Sequence, residues 1–542
     1  MADKTNKGGP ASELEHTTQA RDVENAGAVA SSRQHLSPVP SNDPADPLNW
    51  PMALKIVVLT QVALLAALGG LNTAIINPAY VPLAKEFGIT TVQAGYQTTV
   101  VIAINGIAPF LWIPLANVYG RRPVYLASTL VGFVSAIGCA YTRNFGQLIV
   151  ARVFNGFITA AFALGAASVV DLFFFHQRGR AMGFYTVMMT NGSHLAPIVG
   201  GLVGQYLGWR WTFKFAAILD GVMFLITFFC LPETLYVREN SSNQLAEHIP
   251  LSKTTYLQRL KFWGKPSPKL HLRAKHFILP PLRMARYPSA LFPALYYAAQ
   301  YGFASILPAV TVAHIFTQFF RWNTLDIGLA YGGALTIGGT LGELAGGLVV
   351  DYIVKRERKR LGRDPEPEVR LQAIWTGEIL LPIGLLIYGF TLQYHTHWFG
   401  PLFGMGLACF GIQIITTTCY TYSIDSYRPE GSDVSQLFNF CRQEIGMTFA
   451  FYAIPMAEKI GYQFTFLFFA LMGSFLAFIP IAVLMWKGKE IREKLGKPND
   501  INAIDETENA ELRASEAKLE MESIADDEAK RDAKDDHIES AD

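Results

Sequence analysis

Four acidic residues stand inside long apolar stretches of the chain: Asp220, Glu343, Glu378 and Glu444. An acid removed from water holds its proton closer to neutral pH, so such a group can take up and release protons within a membrane. We predict a proton-carrying acid among Asp220, Glu343 and Glu378, with Glu343 and Glu378 preferred. Glu444 follows Arg442 by two positions, and these two residues are expected to form a structural ion pair.

Two basic side chains lie in similar surroundings. Arg152 stands in an apolar stretch four positions after Leu148. A cation there is costly unless it faces a wet cavity or a partner, and the alternative is an arginine that extends to the outer membrane surface. His194 can titrate near neutral pH, but a histidine that is hydrogen-bonded within the bundle is the preferred interpretation.

The composition excludes several classes of protein. The 542 residues are 51% hydrophobic and 16% charged, which is too apolar for an ordinary soluble protein. A net charge of +1 gives no indication of nucleic-acid binding. The five cysteines show no metal-ligand spacing, so we expect neither a metal nor a cofactor. No phosphate-binding loop, HExxH motif or nucleophile elbow points to an enzyme.

The apolar residues form twelve segments that can cross a membrane as helices, since about 20 residues span about 30 Å of hydrocarbon. The sequence therefore predicts an all-α membrane protein. The segments lie near Leu54–Ile76, Gln93–Leu115, Val124–Tyr141, Leu148–Phe173, Ala181–Gly204, Phe213–Leu231, Ser289–Ile315, Ile327–Ile353, Leu371–Leu392, Phe399–Tyr420, Leu437–Pro455 and Phe464–Trp486.

Basic residues in the loops predict the orientation and the domains. They collect in alternate loops, for example at Arg121, Arg178 and Lys355, and such loops face the cytoplasm, which places both termini inside. Trp50, just before the first segment, is expected at the membrane interface. The predicted parts are a disordered cytoplasmic segment (1–50), a six-helix bundle (51–235), a basic cytoplasmic loop on the inner membrane surface (236–287), a second six-helix bundle (288–487) and a charged cytoplasmic tail (488–542).

Two inner loops repeat one pattern, NVYGRR over 117–122 and DYIVKR over 351–356. Two similar halves can rock about a central site, so this repeat indicates a transporter. The basic residues can pair with carboxylates, and Asp351 can cap a neighbouring helix; simple anchoring by positive charge is the alternative. The residues of this predicted latch are Asn117, Gly120, Arg121, Arg122, Asp351, Lys355 and Arg356.

Small residues recur every four positions in the fifth segment, and Pro197 stands among them. Such a face lets a neighbouring backbone approach closely, while the proline supplies a bend. A packing seam is one interpretation, and a hinge in a moving bundle is the one we favour. The predicted hinge residues are Gly192, Ala196, Pro197, Gly200 and Gly201.

These motifs resemble those of the major facilitator superfamily, over about Pro47 to Trp486. The loop after the second segment is similar to the family signature, although Asn117 stands where an aspartate is usual. The fifth segment resembles the antiporter motif, with Ala196 in place of a glycine. The stretches DPLNW over 46–50 and PET over 232–234 resemble fungal twelve-span drug:proton antiporters.

The resemblance implies two six-helix bundles and a proton-coupled transporter that exports small organic compounds by alternating access. It implies that Arg152 takes part in proton coupling. The substrate is expected to be drug-like, cationic or amphipathic, or a secondary metabolite. An uptake carrier for a small cationic nutrient such as a polyamine and a non-transporting membrane sensor are the alternatives. The partners implied are substrate, proton and membrane lipid; the chain is expected to be a monomer in the plasma membrane, or alternatively in the vacuolar membrane.

A substrate site between two such halves needs aromatic rings and a few polar groups. The best cluster of this kind consists of Tyr296, Tyr297, Gln300 and Tyr301. The predicted substrate-binding residues are Asn72, Asn105, Tyr296, Tyr297, Gln300, Gln413 and Asn439.

Overall fold

A computed structural model describes residues 41, 43, 45–236, 258–260, 275–363, 365–427 and 430–496, and within these ranges it contains helices and no strand. Each of the twelve predicted segments corresponds to one long helix, which confirms the all-α architecture. The helices are α1 Met52–Phe87, α2 Thr91–Tyr119, α3 Arg121–Ala140, α4 Phe145–Leu172, α5 Phe175–Tyr206, α6 Trp209–Cys230, α7 Pro288–Phe320, α8 Thr324–Leu361, α9 Pro367–Gln393, α10 Phe399–Ser426, α11 Gly431–Ile460 and α12 Tyr462–Leu495.

Ten of these helices are long and apolar enough to cross a membrane. The other two, α5 and α11, are as long but more polar, because they carry residues such as Asn191, His194 and Arg442 within their length. Polar side chains inside a membrane protein face the bundle interior. The polarity of α5 and α11 therefore indicates that they line contacts inside the molecule.

The helices pack around two large hydrophobic cores, one in each half of the chain, and a smaller apolar cluster joins α2 with α7 and α11. The first core includes Trp50, Tyr125 and Tyr185, and the second is built around residues such as Tyr296 and Tyr388. Trp50 is only 3% exposed and packs inside the first core. Two large cores, each within one half, suit two bodies that keep their own shape while their relative position changes.

Several helices begin with a side-chain cap. The Thr90 and Gln93 side chains form a reciprocal capping box before α2, and the side chains of Asn144 and Asn323 accept hydrogen bonds at the starts of α4 and α8. These caps satisfy backbone N–H groups that have no partner within the helix. All three lie at one end of the bundle, which we call the opposite end.

The other end carries the arginine-rich turns, and we call it the basic end. Arg121 Nε donates to Asp171 Oδ2 at 2.6 Å, which places the start of α3 beside the finish of α4. Helices α5 and α8 are antiparallel, because Gly201 late in α5 contacts Gly328 early in α8. Asp351, late in α8, therefore lies at the same end as Arg121. The two repeated loops share one side of the molecule, as the repeat requires.

Some predictions concern residues that the structure does not describe. Most of 1–50, most of the loop 236–287 and the tail beyond residue 496 lie outside the described ranges. The described part of the loop 236–287 includes a short helix, Lys275–Met284, which packs against α2 and α11 at the basic end. Helix α12 continues to Leu495, past the boundary predicted at 487.

Candidate functional site

Arg152 lies in a polar network inside the first half. Its NH1 group donates to the carbonyl oxygen of Asn72 at 2.8 Å and to Asn155 Oδ1 at 2.7 Å, and its NH2 group donates to the Thr73 carbonyl at 3.2 Å. The guanidinium also lies over the ring of Phe213, 5.3 Å from its centroid. The side chain is fully buried and does not extend to the surface. Hydrogen bonds to oxygen atoms of α1 and α4 compensate this buried cation.

The network continues to Asp220 of α6. Asn155 Nδ2 donates to Asn72 Oδ1 at 3.2 Å, and Asn72 Nδ2 donates to both carboxylate oxygens of Asp220, at 3.0 and 3.2 Å. Asp220 and Arg152 are thus joined through two amides rather than by an ion pair. Asn72 is only 1% exposed and its amide is fully used, so its place does not fit the predicted contact with substrate.

A second buried carboxylate, Glu378 of α9, lies inside the other half. The Tyr296 hydroxyl donates to Glu378 Oε2, and Gln300 Nε2 donates to the same oxygen at 3.1 Å. A Cβ atom on Gly473 of α12 would lie 2.8 Å from Gln300 Oε1, so this glycine admits the glutamine. Tyr296 and Gln300, predicted as substrate ligands, are therefore partners of the predicted proton carrier.

The Glu378 site lies beside two short π-helical segments. Gly302–Ile306 follows Gln300 in α7, and Met472–Ala477 interrupts α12 around Gly473. Such segments are rare and are frequent at functional sites, because the extra residue per turn redirects side chains. Because the two segments lie on both sides of Gln300, we interpret this region as a functional site rather than as packing alone.

A third group of polar residues, which we call the central cluster, joins the two halves. Asn439 Nδ2 of α11 donates to the carbonyl oxygen of Asn105 of α2 at 3.0 Å. Arg442 donates to Asn439 Oδ1 at 2.8 Å and to the Tyr297 hydroxyl at 3.3 Å, and it lies 4.9 Å from the ring centroid of Tyr301. Three predicted substrate-binding residues, Asn105, Tyr297 and Asn439, meet here.

Arg442 does not pair with Glu444, so the predicted structural ion pair is wrong. Residues two apart on a helix point to different sides. Arg442 points to Tyr297 and Tyr301 of α7, whereas Glu444 points to Gly106 of α2. The oxygen Glu444 Oε1 is buried without a hydrogen-bond partner.

Of the remaining residues, two lie along the contact of α5 with α8, and one lies where α8 packs on α10. Glu343 is half-buried and interacts with Thr186 of α5. Gln413 of α10 is buried where the α8 backbone passes at Gly342. His194 was expected to be hydrogen-bonded, but its Nδ1 atom is buried without a partner, so that expectation is wrong.

The predicted hinge residues of α5 form two packing faces. On one face, Gly192 and Gly200 lie against the α1 backbone: a Cβ atom on Gly200 would lie 1.7 Å from the carbonyl oxygen of Ile75. Ala196, fully buried, belongs to the same face. On the other face, Pro197 and Gly201 lie against Gly328 of α8. The seam thus serves both packing inside the first half and contact between halves.

At the basic end, Arg121 and Arg122 are held by contacts within the first half. Their backbone N–H groups donate to Glu233 Oε1 and Oε2 at 2.9 and 3.0 Å, so this carboxylate caps α3. Gly120 precedes the cap with φ of 104°, and a Cβ atom there would lie 2.4 Å from Glu233 Oε2. Sequence analysis missed Glu233 as a cap, although it belongs to the PET stretch at 232–234.

The second copy of the repeated loop is different. Asn117 and Asp351 occupy matching positions, and both are exposed, as are Lys355 and Arg356. Asp351 therefore does not form the predicted cap or ion pair in this arrangement. Ion pairs at this end of the second half are instead made by residues that sequence analysis did not select: Arg370 with Asp425 at 2.6 Å, and Arg492 with Glu368 at 3.0 Å.

Comparison with known proteins also indicates a membrane transporter. The sequence profile of the Major Facilitator Superfamily matches residues 62–451. The efflux pump radE of Floropilus chiversii is 27% identical, over 83% of this chain and 83% of its own length. The cycloheximide resistance protein of Candida maltosa is 29% identical, over 72% of this chain and 71% of its own length. An uncharacterised transporter of Schizosaccharomyces pombe is 26% identical, over 83% of this chain and 91% of its own.

Two solved structures share the fold. The xylose transporter XylE from E. coli, in a partially occluded inward open conformation, has a TM-score of 0.56 at 14% identity and covers 80% of this chain and 99% of its own. A bacterial homologue of the human lysosomal transporter Spinster has a TM-score of 0.54 at 14% identity and covers 83% of this chain and 100% of its own. At this identity the likeness establishes the fold alone.

Proposed function

This chain belongs to the Major Facilitator Superfamily, and on that premise we propose that it is a proton-coupled transporter that exports small organic compounds, drug-like amphipathic molecules or secondary metabolites, by alternating access. Relatives that are an efflux pump and a cycloheximide resistance protein support export. The proposed location is the plasma membrane, with the vacuolar membrane as the alternative, and the proposed working unit is the monomer.

The observation that carries the proposal is the unequal contact between α5 and α8. Gly201 and Gly328 touch through their backbones at the opposite end, whereas Cβ atoms on Gly183 and Gly347 near the basic end would meet nothing within 4 Å. From this difference we infer that the halves meet at one end and separate at the other along this pair of helices. Rocking about the middle of the contact would exchange the two ends and give access to each side of the membrane in turn.

Proton coupling is proposed at the buried acids. Asp220 is hydrogen-bonded to Asn72, and Glu378 to Tyr296 and Gln300, so the partners of both acids are neutral groups. Gain or loss of a proton therefore changes the local charge where no direct ion pair compensates it. Glu343 is a third candidate, because it lies where α5 and α8 begin to separate.

Arg152 is proposed to transmit the protonation state of Asp220. The two groups are joined through Asn72 and Asn155, and Arg152 also holds the backbone of α1 at Asn72 and Thr73. A change of charge at Asp220 alters the hydrogen bonds of Asn72 and hence those of Arg152. In this way a proton can influence the helix that packs on the glycine face of α5.

Flux measurements with the purified full chain in proteoliposomes test the proposal. With an inside-acid gradient, we expect gradient-dependent uptake of labelled cycloheximide and proton efflux reported by an internal pH dye. A protonophore should abolish both, and the Glu378→Gln variant should lose the gradient dependence. In cells, dissipating the gradient should raise accumulation, whereas vanadate should have no effect.

Two results would contradict the proposal. Cycloheximide moving in the same direction as the proton would indicate an uptake carrier instead. An untargeted metabolite comparison of cells with and without the chain, at two external pH values, should find compounds retained when the chain is missing. If no compound is retained at either pH, export is ruled out.

A further inference from the structure

Arg442 is a cation between the two halves with no acidic partner among the described residues. Its hydrogen bonds go to the Tyr297 hydroxyl and the Asn439 amide oxygen, and its Nε atom is buried without a partner. The neighbouring carboxylate, Glu444, points to α2 instead. A guanidinium has five N–H donors, so this partly buried one keeps unused donors.

Aromatic rings surround this guanidinium. Tyr301 lies beneath it, and Tyr297 stacks with Phe438 at 6.1 Å between ring centroids. Tyr420 packs against the same Phe438 at 4.5 Å. The groups around the cation from α7, α10 and α11 are therefore rings and neutral polar groups.

An unpaired guanidinium among rings is complementary to one kind of ligand. Arginine binds carboxylates through two parallel hydrogen bonds, and such bonds are stronger than those between neutral groups. The rings contact flat apolar groups, and aromatic walls with a few polar groups are typical of small-molecule sites. A cationic ligand would instead meet a like charge, which is unfavourable.

The geometry points to Arg442 as the group that binds the acidic end of the transported compound, with the partly exposed rings of Tyr301 and Tyr420 holding its aromatic or apolar body. This inference rests on the proposed function, because it names the class of substrate for that transporter: a small aromatic acid rather than a cation. The cluster also spans both halves through Asn439 and Asn105, so a bound anion would contact the seam that changes during transport.

The test uses three probes of one shape on the purified full chain: 2-naphthoate, the neutral 2-naphthamide and the cationic 2-naphthylmethylammonium. Dissociation constants are measured by quenching of tryptophan fluorescence. We expect 2-naphthoate to bind about tenfold or more tightly than the other two. The Arg442→Gln variant should lose about tenfold in naphthoate affinity and change little for the amide. Arg442→Lys should fall between them, since lysine keeps the charge and loses the paired geometry.

The matched control is Arg363→Gln, because Arg363 is exposed beyond the end of α8 at the basic end. It should bind all three probes like the unmodified chain. Equal binding of naphthoate by Arg442→Gln and the unmodified chain, or tightest binding of the ammonium probe, would overturn the inference. The thermal midpoint of each ligand-free variant is measured as well, and Arg442→Lys decides the matter if Arg442→Gln does not fold.

Binding and flux separate this inference from the function on which it rests. Arg442-dependent binding of naphthoate without any proton-driven flux would support the anion site and refute the transporter proposal. Proton-driven export of 2-naphthoate that is unchanged in Arg442→Gln would refute the anion site and leave the transporter proposal standing.

Discussion

Gly201 and Gly328 bring the backbones of α5 and α8 into direct contact: a Cβ atom on Gly328 would lie 2.7 Å from the Cα atom of Gly201. The same Cβ would lie 2.4 Å from the carbonyl oxygen of Pro197. The two halves of the chain thus meet at a point where only hydrogen atoms fit. In proteins that move, such a contact holds one state without a strong bond that would be slow to break.

Replacing Gly328 with valine should prevent this contact. Overpacking against a backbone typically costs about 1–3 kcal/mol, so we expect transport to fall about tenfold or more and the closed opposite end to open. Accessibility of single cysteines placed along that end, measured with a membrane-impermeant thiol reagent, reports the opening. The matched control is Gly333→Val on the same helix, where a Cβ atom would meet nothing within 4 Å; loss of transport in both variants alike would contradict the specific role of Gly328.

Replacing Gly347 with leucine tests the other half of the movement. A side chain there fits this arrangement, since a Cβ atom meets nothing within 4 Å. If the basic end closes during transport, the leucine blocks closure, so we expect normal thermal stability with transport reduced about tenfold or more. Undiminished transport by Gly347→Leu would show that the basic end does not close at this point.

The hydrogen bond from Tyr296 to Glu378 predicts that substitutions of these two residues are energetically coupled in a double-mutant cycle. Tyr296→Phe removes the donor and leaves a buried carboxylate oxygen under-satisfied, which costs about 1–3 kcal/mol. Glu378→Gln removes the charge while keeping the size. We expect the two substitutions to be coupled by about 0.5–3 kcal/mol in the free energy of unfolding. Both single variants should also lose gradient-dependent transport. If the stability losses of the two single variants simply add, and Glu378→Gln still transports in response to the proton gradient, Glu378 is not the proton site.

The sequence predicts the frame of the molecule well, because the length of an apolar segment depends only on neighbouring residues. All twelve segments, including the polar α5 and α11, are found as helices. The tight packing of α5 was predicted from small residues four apart, and the structure has Gly192 and Gly200 against α1. These features follow from local spacing and the thickness of a bilayer.

Pairing between distant residues was not predictable in the same way. Glu378 is 82 positions from Tyr296, and Asp220 is 148 positions from Asn72, so no period in the sequence joins them. The pair that looked closest, Arg442 with Glu444, is separated by the direction of side chains on a helix. Glu233 was missed because a cap supplied by a distant segment leaves no mark near the helix that it caps.

Arg152 should be intolerant even of lysine. A lysine ammonium cannot reach the Asn72 and Thr73 carbonyls and Asn155 Oδ1 together in the fork that arginine provides. Buried acceptors left without donors cost about 1–3 kcal/mol each, so Arg152→Lys should lower the thermal midpoint clearly. Asp220→Asn is the comparison, because an amide oxygen still accepts from Asn72. The Asp220→Asn variant should keep its stability and lose gradient-dependent transport. An Arg152→Lys variant that is as stable as the unmodified chain and still transports in response to the gradient would contradict the role of the network.

The cap on α3 predicts a stability effect that is separate from transport chemistry. Glu233 accepts from the backbone N–H groups of both Arg121 and Arg122, at 2.9 and 3.0 Å. Loss of a capping side chain costs about 0.5–2 kcal/mol, and its negative charge at a helix N-terminus adds to this. We expect Glu233→Ala to lower the thermal midpoint, because both acceptor oxygens are lost. Glu233→Gln should lower it less, because the amide oxygen keeps one of the two acceptors.

Gly120 offers an independent check on the same cap. Its φ of 104° is a conformation that residues with a side chain rarely adopt, and a Cβ atom there would lie 2.4 Å from Glu233 Oε2. Gly120→Ala should therefore destabilise the chain through both strain and displacement of the carboxylate. In the double variant Gly120→Ala, Glu233→Ala, the loss of stability should be smaller than the sum of the two single losses, because the second change removes the atom that the first one displaces. Fully additive midpoints would mean that Glu233 does not hold the start of α3.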